Sequence, residues 1–156
     1  MYIKDRKNWV KKIMEISQIE GFQRADEIAQ AVIKLFQASI SQILAKEISE
    51  SVPADLSEGW NLIRKRNIWG EIDTIEKRKD FVKKLMEITE INDYKRADEI
   101  AQVVLKLLQV TLDEDLLKKV SASVPPDLKK GWEMIEQRQW RALDFMKQEA
   151  VRTIIR

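Results

Sequence analysis

The chain is built from stretches whose apolar residues recur with helical period, separated by short breaks that contain glycine, proline or helix-capping residues. Trp9, Ile13 and Ile16 lie on one face of a helix. A broader apolar stripe follows and predicts a helix buried along one whole side; it consists of Ala25, Ile28, Ala29, Val32, Leu35 and Phe36. No stretch sustains the alternation of apolar and polar residues typical of a strand, so the pattern predicts an all-α protein.

Capping residues set the predicted helix boundaries. Asp5 is a good N-cap for the first helix. Ser39 with Gln42, and Thr111 with Glu114, form capping boxes that predict the starts of third helices in two similar regions. A further box, residues 73–76, opens the second region, and Pro53 is predicted in the first turn of a fourth helix. The predicted helices cover about residues 5–17, 23–38, 39–51, 53–67, 74–89, 94–110, 112–122 and 125 onwards.

The chain contains an internal repeat. Residues 24–30 read RADEIAQ and return unchanged as residues 96–102, a spacing of 72 residues. Residues 9–66 align with 81–138 without a gap, and roughly half of the positions are identical, which indicates a duplicated unit. The repeat predicts two tandem four-helix units, residues 1–70 and 71–139, packed together with pseudo-twofold symmetry. A C-terminal helical extension, residues 140–156, follows them. Gly59 and Gly131 occupy equivalent positions, which favours close helix packing or a kink there.

The amino-acid composition excludes several kinds of catalytic and metal-binding site. The chain has no His and no Cys, which excludes disulfides, Cys/His zinc sites, thiol nucleophiles and imidazole acid–base catalysis. No phosphate-binding loop or nucleophile elbow is recognisable, so we expect neither an enzyme nor a cofactor. The net charge of +2 creates no field that favours nucleic acid as a partner. With no signal-peptide pattern and no apolar run of spanning length, the sequence predicts a cytoplasmic protein.

The order of these motifs resembles the bacterial Domain of Unknown Function 2267 family, whose members carry two such halves. The first half contributes Arg24, Ala25, Ala29, Val52-Pro53 and Glu58-Gly59-Trp60, and the second contributes Arg96, Ala97, Ala101, Val124-Pro125 and Gly131-Trp132. The resemblance covers about residues 8–132. It implies an all-helical fold and a binding or regulatory role, and it implies no catalytic residues. The extension from Trp140 to Arg156 departs from the family pattern, as does Val-Pro where many members have Leu-Pro.

The repeated charged motif is the first candidate site. It consists of Arg24, Asp26 and Glu27 with the copies Arg96, Asp98 and Glu99. One interpretation is an interface or carboxylate-bound cation shared by the halves, although no EF-hand loop is present and no metal is expected. The other is helix-surface charge, since pairs one turn apart contribute roughly 0.2–0.5 kcal/mol. A structural role, such as Arg24 reaching a helix C-terminus or the other half, would explain why the motif is identical in both copies.

The tryptophans are the second set of candidates. Trp60 and Trp132 occupy equivalent positions and are interpreted as core residues, with a ligand platform or partner anchor as the alternative. Trp69 and Trp140 lie about nine residues past each Gly-Trp and are the better candidates for exposed aromatics that contact a partner, although packing is the favoured role there too.

The C-terminal extension is a basic amphipathic stretch. Arg141, Met146 and Arg152 are candidate partner-binding residues within it. The alternatives are contact with an anionic membrane surface, contact with nucleic acid, which is disfavoured, or a terminal helix docked on the body.

These features lead to one principal hypothesis and two alternatives. The chain is expected to be a non-enzymatic helical scaffold that offers the cleft between its halves to a protein partner or to a second copy of itself. The first alternative is a small apolar ligand or lipid in a pocket between the two units, an idea that a fully filled core between the units would end. The second is peripheral contact of the basic extension with an anionic membrane or nucleic acid.

Overall fold

The fold is all-α, as the periodicity predicts. A computed structural model of the protein describes residues 5–62 and 74–137, and within these ranges it contains eight helices and no strand. We call residues 5–62 the first half and residues 74–137 the second half. The helices are α1 (Arg6–Ser17), α2 (Phe22–Gln37), α3 (Gln42–Ser51), α4 (Ala54–Leu62), α5 (Arg78–Thr89), α6 (Tyr94–Thr111), α7 (Glu114–Ser123) and α8 (Pro126–Gln137).

The first helix begins as predicted, but the third helices begin two residues later than their capping boxes indicate. Asp5 is the N-cap of α1 and accepts a hydrogen bond from the Asn8 amide. The N-caps of α3 and α7 are Ser41 and Asp113. The predicted caps Ser39 and Thr111 are buried, and their hydroxyls donate back to carbonyls four residues earlier. These hydroxyls complete the preceding helix, so they do not start the next one.

The predicted start of α5 is wrong by four residues. The helix begins at Arg78, and residues 74–77 are not helical. Ile75 is buried, and its amide donates to the carbonyl of Ala38 at the end of α2, at 3.3 Å. This hydrogen bond ties the segment before α5 to the other half, and that segment stays non-helical.

Two prolines lie at the starts of α4 and α8. Pro53 lies one residue before α4, where its carbonyl accepts the amides of Leu56 and Ser57, so it is not within the first turn. Pro126 is the first residue of α8, where its missing amide costs nothing. The predicted continuation of α4 to residue 67, the unit boundaries at 70 and 139 and the C-terminal extension lie outside the described residues.

Helix α2 lies at the centre of the fold. Eleven of its sixteen residues are buried, and the run from Ile28 to Phe36 is buried without interruption, so α2 is enclosed on every side. Helices α1 and α4 cover it from the first half, and α5 and α6 cover it from the second half. Helix α1 also packs on α6, reciprocally to the packing of α2 on α5, and α3 packs on α7. The two halves therefore share one apolar core, which is continuous from Trp9 to Trp132.

None of the helices within residues 5–62 and 74–137 combines the length and apolar character that crossing a lipid bilayer requires.

A matched pair of substitutions tests whether the core is shared. Leu35 and Leu107 are equivalent residues, both fully buried. We expect Leu35→Ala and Leu107→Ala each to lower the free energy of unfolding by about 2–5 kcal/mol, because each leaves a cavity in the same core. Urea unfolding followed by circular dichroism and by tryptophan fluorescence should show one coincident transition that moves in both variants. Two transitions, each sensitive to one variant, would show that the halves unfold independently.

Candidate functional site

The repeated aspartates are the centres of two equivalent ion pairs that join separate helices. In the first half, Nε of Arg6 at the start of α1 donates to Oδ1 of Asp26 on α2 at 3.0 Å, and Nη2 donates to Oδ2. In the second half, Arg78 donates to Asp98 in the same way, at 3.0 Å and 2.6 Å. Each is a two-pronged arginine–carboxylate pair, the geometry that makes such pairs strong and directional.

Further side chains complete each cluster. The amides of Gln30 and Gln102 donate to Oδ2 of Asp26 and Asp98, each at 2.9 Å. The backbone amide of Arg6 donates to the carboxylate of Asp55 in α4, at 2.9 Å. The Asp127 carboxylate of α8 accepts the Arg78 amide in the same way, at 2.8 Å. Each cluster thus ties the first helix of its half to the second and the fourth.

The aspartate in each cluster keeps its arginine partner positively charged. The hydrogen bonds from Arg6 to Asp26 raise the pKa of the Arg6 guanidinium, and Asp98 raises the pKa of Arg78 in the same way. A raised arginine pKa keeps the group charged at every pH at which proteins are handled. Both aspartate side chains are largely covered, at 11% exposure for Asp26 and 17% for Asp98. Pairs of this kind, in which each charge is balanced by its partner, hold helices together.

Sequence reasoning placed Asp26 and Asp98 in a site but missed their partners. The repeat alignment began at residue 9, whereas Arg6 and Arg78 share the same spacing of 72 residues. An alignment extended three residues upstream shows that Arg6 is repeated as Arg78. No sequence signal reveals that they reach across twenty residues to the aspartates, because that contact depends on how α1 crosses α2.

The other members of the charged motif differ between the halves. Arg96 donates to the carbonyl of Ser17, the last residue of α1, which is both a helix C-terminus and part of the other half. This is the role predicted for Arg24, but Arg24 itself is exposed, as is Glu99. Glu27 is half-buried and has a partner. The repeated motif therefore makes the same aspartate and glutamine contacts in both halves, whereas its arginines differ.

The two Gly-Trp tryptophans are buried but are held differently. Trp60 packs on Trp9, with ring centroids 6.4 Å apart and ring planes tilted by 59°. Trp132 stacks on Phe36 of the other half, with centroids 4.8 Å apart and planes 9° from parallel. Nε1 of Trp132 donates to the Ser121 hydroxyl at 2.8 Å. Nε1 of Trp60 has no hydrogen-bond partner within the described residues.

The remaining candidates lie outside the described residues. These are Trp69, Trp140, Arg141, Met146 and Arg152, so their role in partner binding stays a prediction, as does contact of the basic extension with a membrane.

A large open cleft lies between the halves, where α3 meets α7. Its volume is about 630 Å³, and its walls carry five carboxylates and one lysine. Lys119 of α7 lies 3.7 Å from Glu47 of α3, a surface pair that contributes little to stability. Four of the carboxylates are exposed, namely those of Glu50, Asp113, Glu114 and Asp115. Within residues 5–62 and 74–137, no three metal-ligating side chains gather into a group that could hold an ion.

Comparison with known protein families bears out the resemblance. The chain matches the uncharacterized conserved protein family DUF2267 over residues 6–131. It belongs to this family. The matched region of this DUF2267 chain begins at Arg6 and ends at Gly131, so it takes in both Arg–Asp clusters. A comparison with curated proteins found no match.

Neutralising the aspartates tests the structural role of the clusters. We expect Asp26→Asn and Asp98→Asn to lower the free energy of unfolding by about 1–3 kcal/mol each, because an isosteric amide loses charge-assisted hydrogen bonds. The loss should be larger for Asp26, which is better covered. Urea unfolding gives the values. Unchanged stability in both variants would contradict the proposed role of the pairs.

The two equivalent glycines should respond oppositely to alanine. A Cβ at Gly59 would lie 2.8 Å from Nε of Arg6, so Gly59→Ala must displace the paired guanidinium. At Gly131 the nearest atom is Nη1 of Arg78 at 3.8 Å, an ordinary contact. Because alanine favours helix by about 0.5–1 kcal/mol over glycine, Gly131→Ala should be neutral or stabilising, whereas Gly59→Ala should destabilise. Thermal unfolding of the two variants checks this ordering.

Proposed function

We propose that this chain is a non-enzymatic interaction module that binds another protein in the cleft between α3 and α7. The observation that carries the proposal is the cleft itself, which is contributed by both halves and stays open in a fold whose core is otherwise shared. Its position between the halves supports the proposal, because residues of both α3 and α7 line it.

Charge indicates the kind of partner. Five carboxylates and one ammonium group line the cleft, so the surface is strongly negative although the whole chain carries +2. A concave surface of one charge attracts oppositely charged segments and speeds their association. The complementary partner is therefore a segment rich in Lys and Arg.

An apolar contact is available beside the charges. Ile43 is 74% exposed and lies one helical turn before Glu47 on the same face of α3. An exposed apolar residue next to a charged cleft suits an amphipathic segment, whose basic face meets the carboxylates while an apolar side chain covers Ile43.

A basic amphipathic helical peptide tests the proposal directly. Fluorescence anisotropy should show saturable binding that weakens as salt is added. The charge-reversed variant Glu50→Lys with Asp115→Lys should bind the peptide about tenfold or more weakly, because like charges facing each other across an interface cost several kcal/mol. The matched control, Glu58→Lys with Glu133→Lys, makes the same charge change on exposed residues of α4 and α8 and should bind as the original chain does. Absence of saturable binding, or equal loss in both variants, would contradict the proposal.

Crosslinking separates a foreign partner from a second copy of the chain. A photoreactive amino acid at Ile43 should give an adduct, whereas the same group at Met134, 63% exposed on α8, should not. An adduct of twice the chain mass would identify self-association, and any other mass a different protein. Equal adducts from both positions would rule out the cleft as the binding surface.

A further inference from the structure

The second half contains an apolar cavity beside its Arg–Asp cluster. Apart from Phe36 of α2, the residues lining it all belong to the second half, chiefly to α5, α6 and α8. Phe81, Trp132 and Ile135 form apolar walls, and Arg78 with Asp98 lies at one side. The cavity has a volume of about 40 Å³, which is enough for a few atoms. Its position thus differs from that of the apolar pocket predicted between the two units, because all but one of the lining residues belong to one half.

At the equivalent positions of the first half, the described residues are packed more tightly. Trp9 occupies the position of Phe81, so a larger ring fills that space and packs on Trp60. Neighbouring residues of the first half are also less exposed to solvent than their equivalents in the second half. Leu56 is 1% exposed whereas its equivalent Leu128 is half-buried, and Gly59 is buried whereas Gly131 is half-buried. The described residues at these duplicated positions therefore differ: they are more completely covered in the first half than in the second.

The open site is held open by two contacts of Trp132. Its ring stacks on Phe36, and its indole nitrogen is bonded to Ser121. In the first half, the equivalent indole has no such bond and the ring leans on Trp9 instead. Because Trp132 is fixed on two sides, it does not collapse into the space beside Phe81.

The polar edge of the cavity offers one unused donor. Nε and Nη2 of Arg78 donate to Asp98. Nη1 is the atom nearest to the position that a Cβ at residue 131 would occupy, at 3.8 Å. Nη1 donates no hydrogen bond within residues 5–62 and 74–137. The charge of Arg78 is already balanced, since the carboxylates of Asp98 and Asp127 both act on it. An incoming anion would therefore find no surplus positive charge, whereas a neutral acceptor would find a free N–H.

We propose that this cavity binds a small neutral molecule, whose short apolar chain lies beside Phe81 and Trp132 and whose oxygen accepts a hydrogen bond from Arg78. The site shares no residue with the cleft between α3 and α7, so its test is independent of the proposed protein partner.

Diethyl ketone is a suitable probe, because it is neutral, carries one acceptor and can place one two-carbon arm in the cavity while the other stays at the cavity mouth. Titrated into the full chain, it should shift the NMR signals of the Gly131 amide and the Trp132 indole N–H saturably. Valerate and pentylammonium, of similar size but charged, should bind about tenfold or more weakly, because burial without a counter-charge is unfavourable. Absence of saturable shifts, or tighter binding of valerate, would overturn the proposal.

Three variants test the cavity. Phe81→Trp introduces the larger ring that the first half has at Trp9, and Gly131→Ala adds a methyl group where contacts are ordinary. Each should weaken diethyl ketone by about tenfold or more, the effect of a few atoms in an apolar pocket. Trp9→Phe should open the first half, so that the Gly59 amide and Trp60 indole also shift.

Circular dichroism shows whether each variant is folded. If Phe81→Trp does not fold, Gly131→Ala decides alone, since its added atom meets no close neighbour. Unchanged ketone affinity in the folded variants would place the probe elsewhere and refute the site.

Discussion

The complete burial of α2 is the constraint on which the rest of the structure depends. A helix buried from Ile28 to Phe36 without interruption presents apolar surface in every direction, so neighbours must surround it. Its own half supplies α1 and α4, and the remaining directions are covered by α5 and α6. A half of this size buries a small fraction of its surface and is marginal as an independent core. Burying α2 therefore requires the second half to pack on the first.

The Arg–Asp clusters depend on that arrangement and refine it. Apolar burial brings α1, α2 and α4 together but does not fix their positions along one another, because it is non-directional. A forked pair such as Arg6 with Asp26 has only one good geometry, and the carboxylate of Asp55 adds a second fixed point on the same arginine. We interpret the duplicated ion pairs as contacts that fix the relative positions of three helices. Their aspartate side chains are largely covered, although the pairs lie near the protein surface.

Periodicity predicted the fold class and most helix spans, because it records which face of each helix must be buried. Local chemistry also predicted the Asp5 cap. Local chemistry did not predict the start of α3, because Ser39 and Ser41 are both possible N-caps. Only the path of the chain decides that Ser41 caps α3 while the Ser39 hydroxyl donates to the carbonyl of Leu35. The partner of Asp26 could not be predicted for the same reason, because it follows from a helix crossing. The difference between Trp60 and Trp132 depends on ring volumes at Trp9 and Phe81 and on a phenylalanine from the other half.

The reciprocal packing of α1 on α6 and α2 on α5 is the relation found in a symmetric homodimer, here made within one chain. In a homodimer every substitution appears twice, so a residue that opens a space in one subunit opens it in the other and doubles the loss of packing. Within a single chain each position is encoded once, so Trp9 and Phe81 can differ, as can Phe36 and Leu108. Because the halves are covalently connected, one copy can be packed tightly at Trp9 while the other carries a cavity beside Phe81.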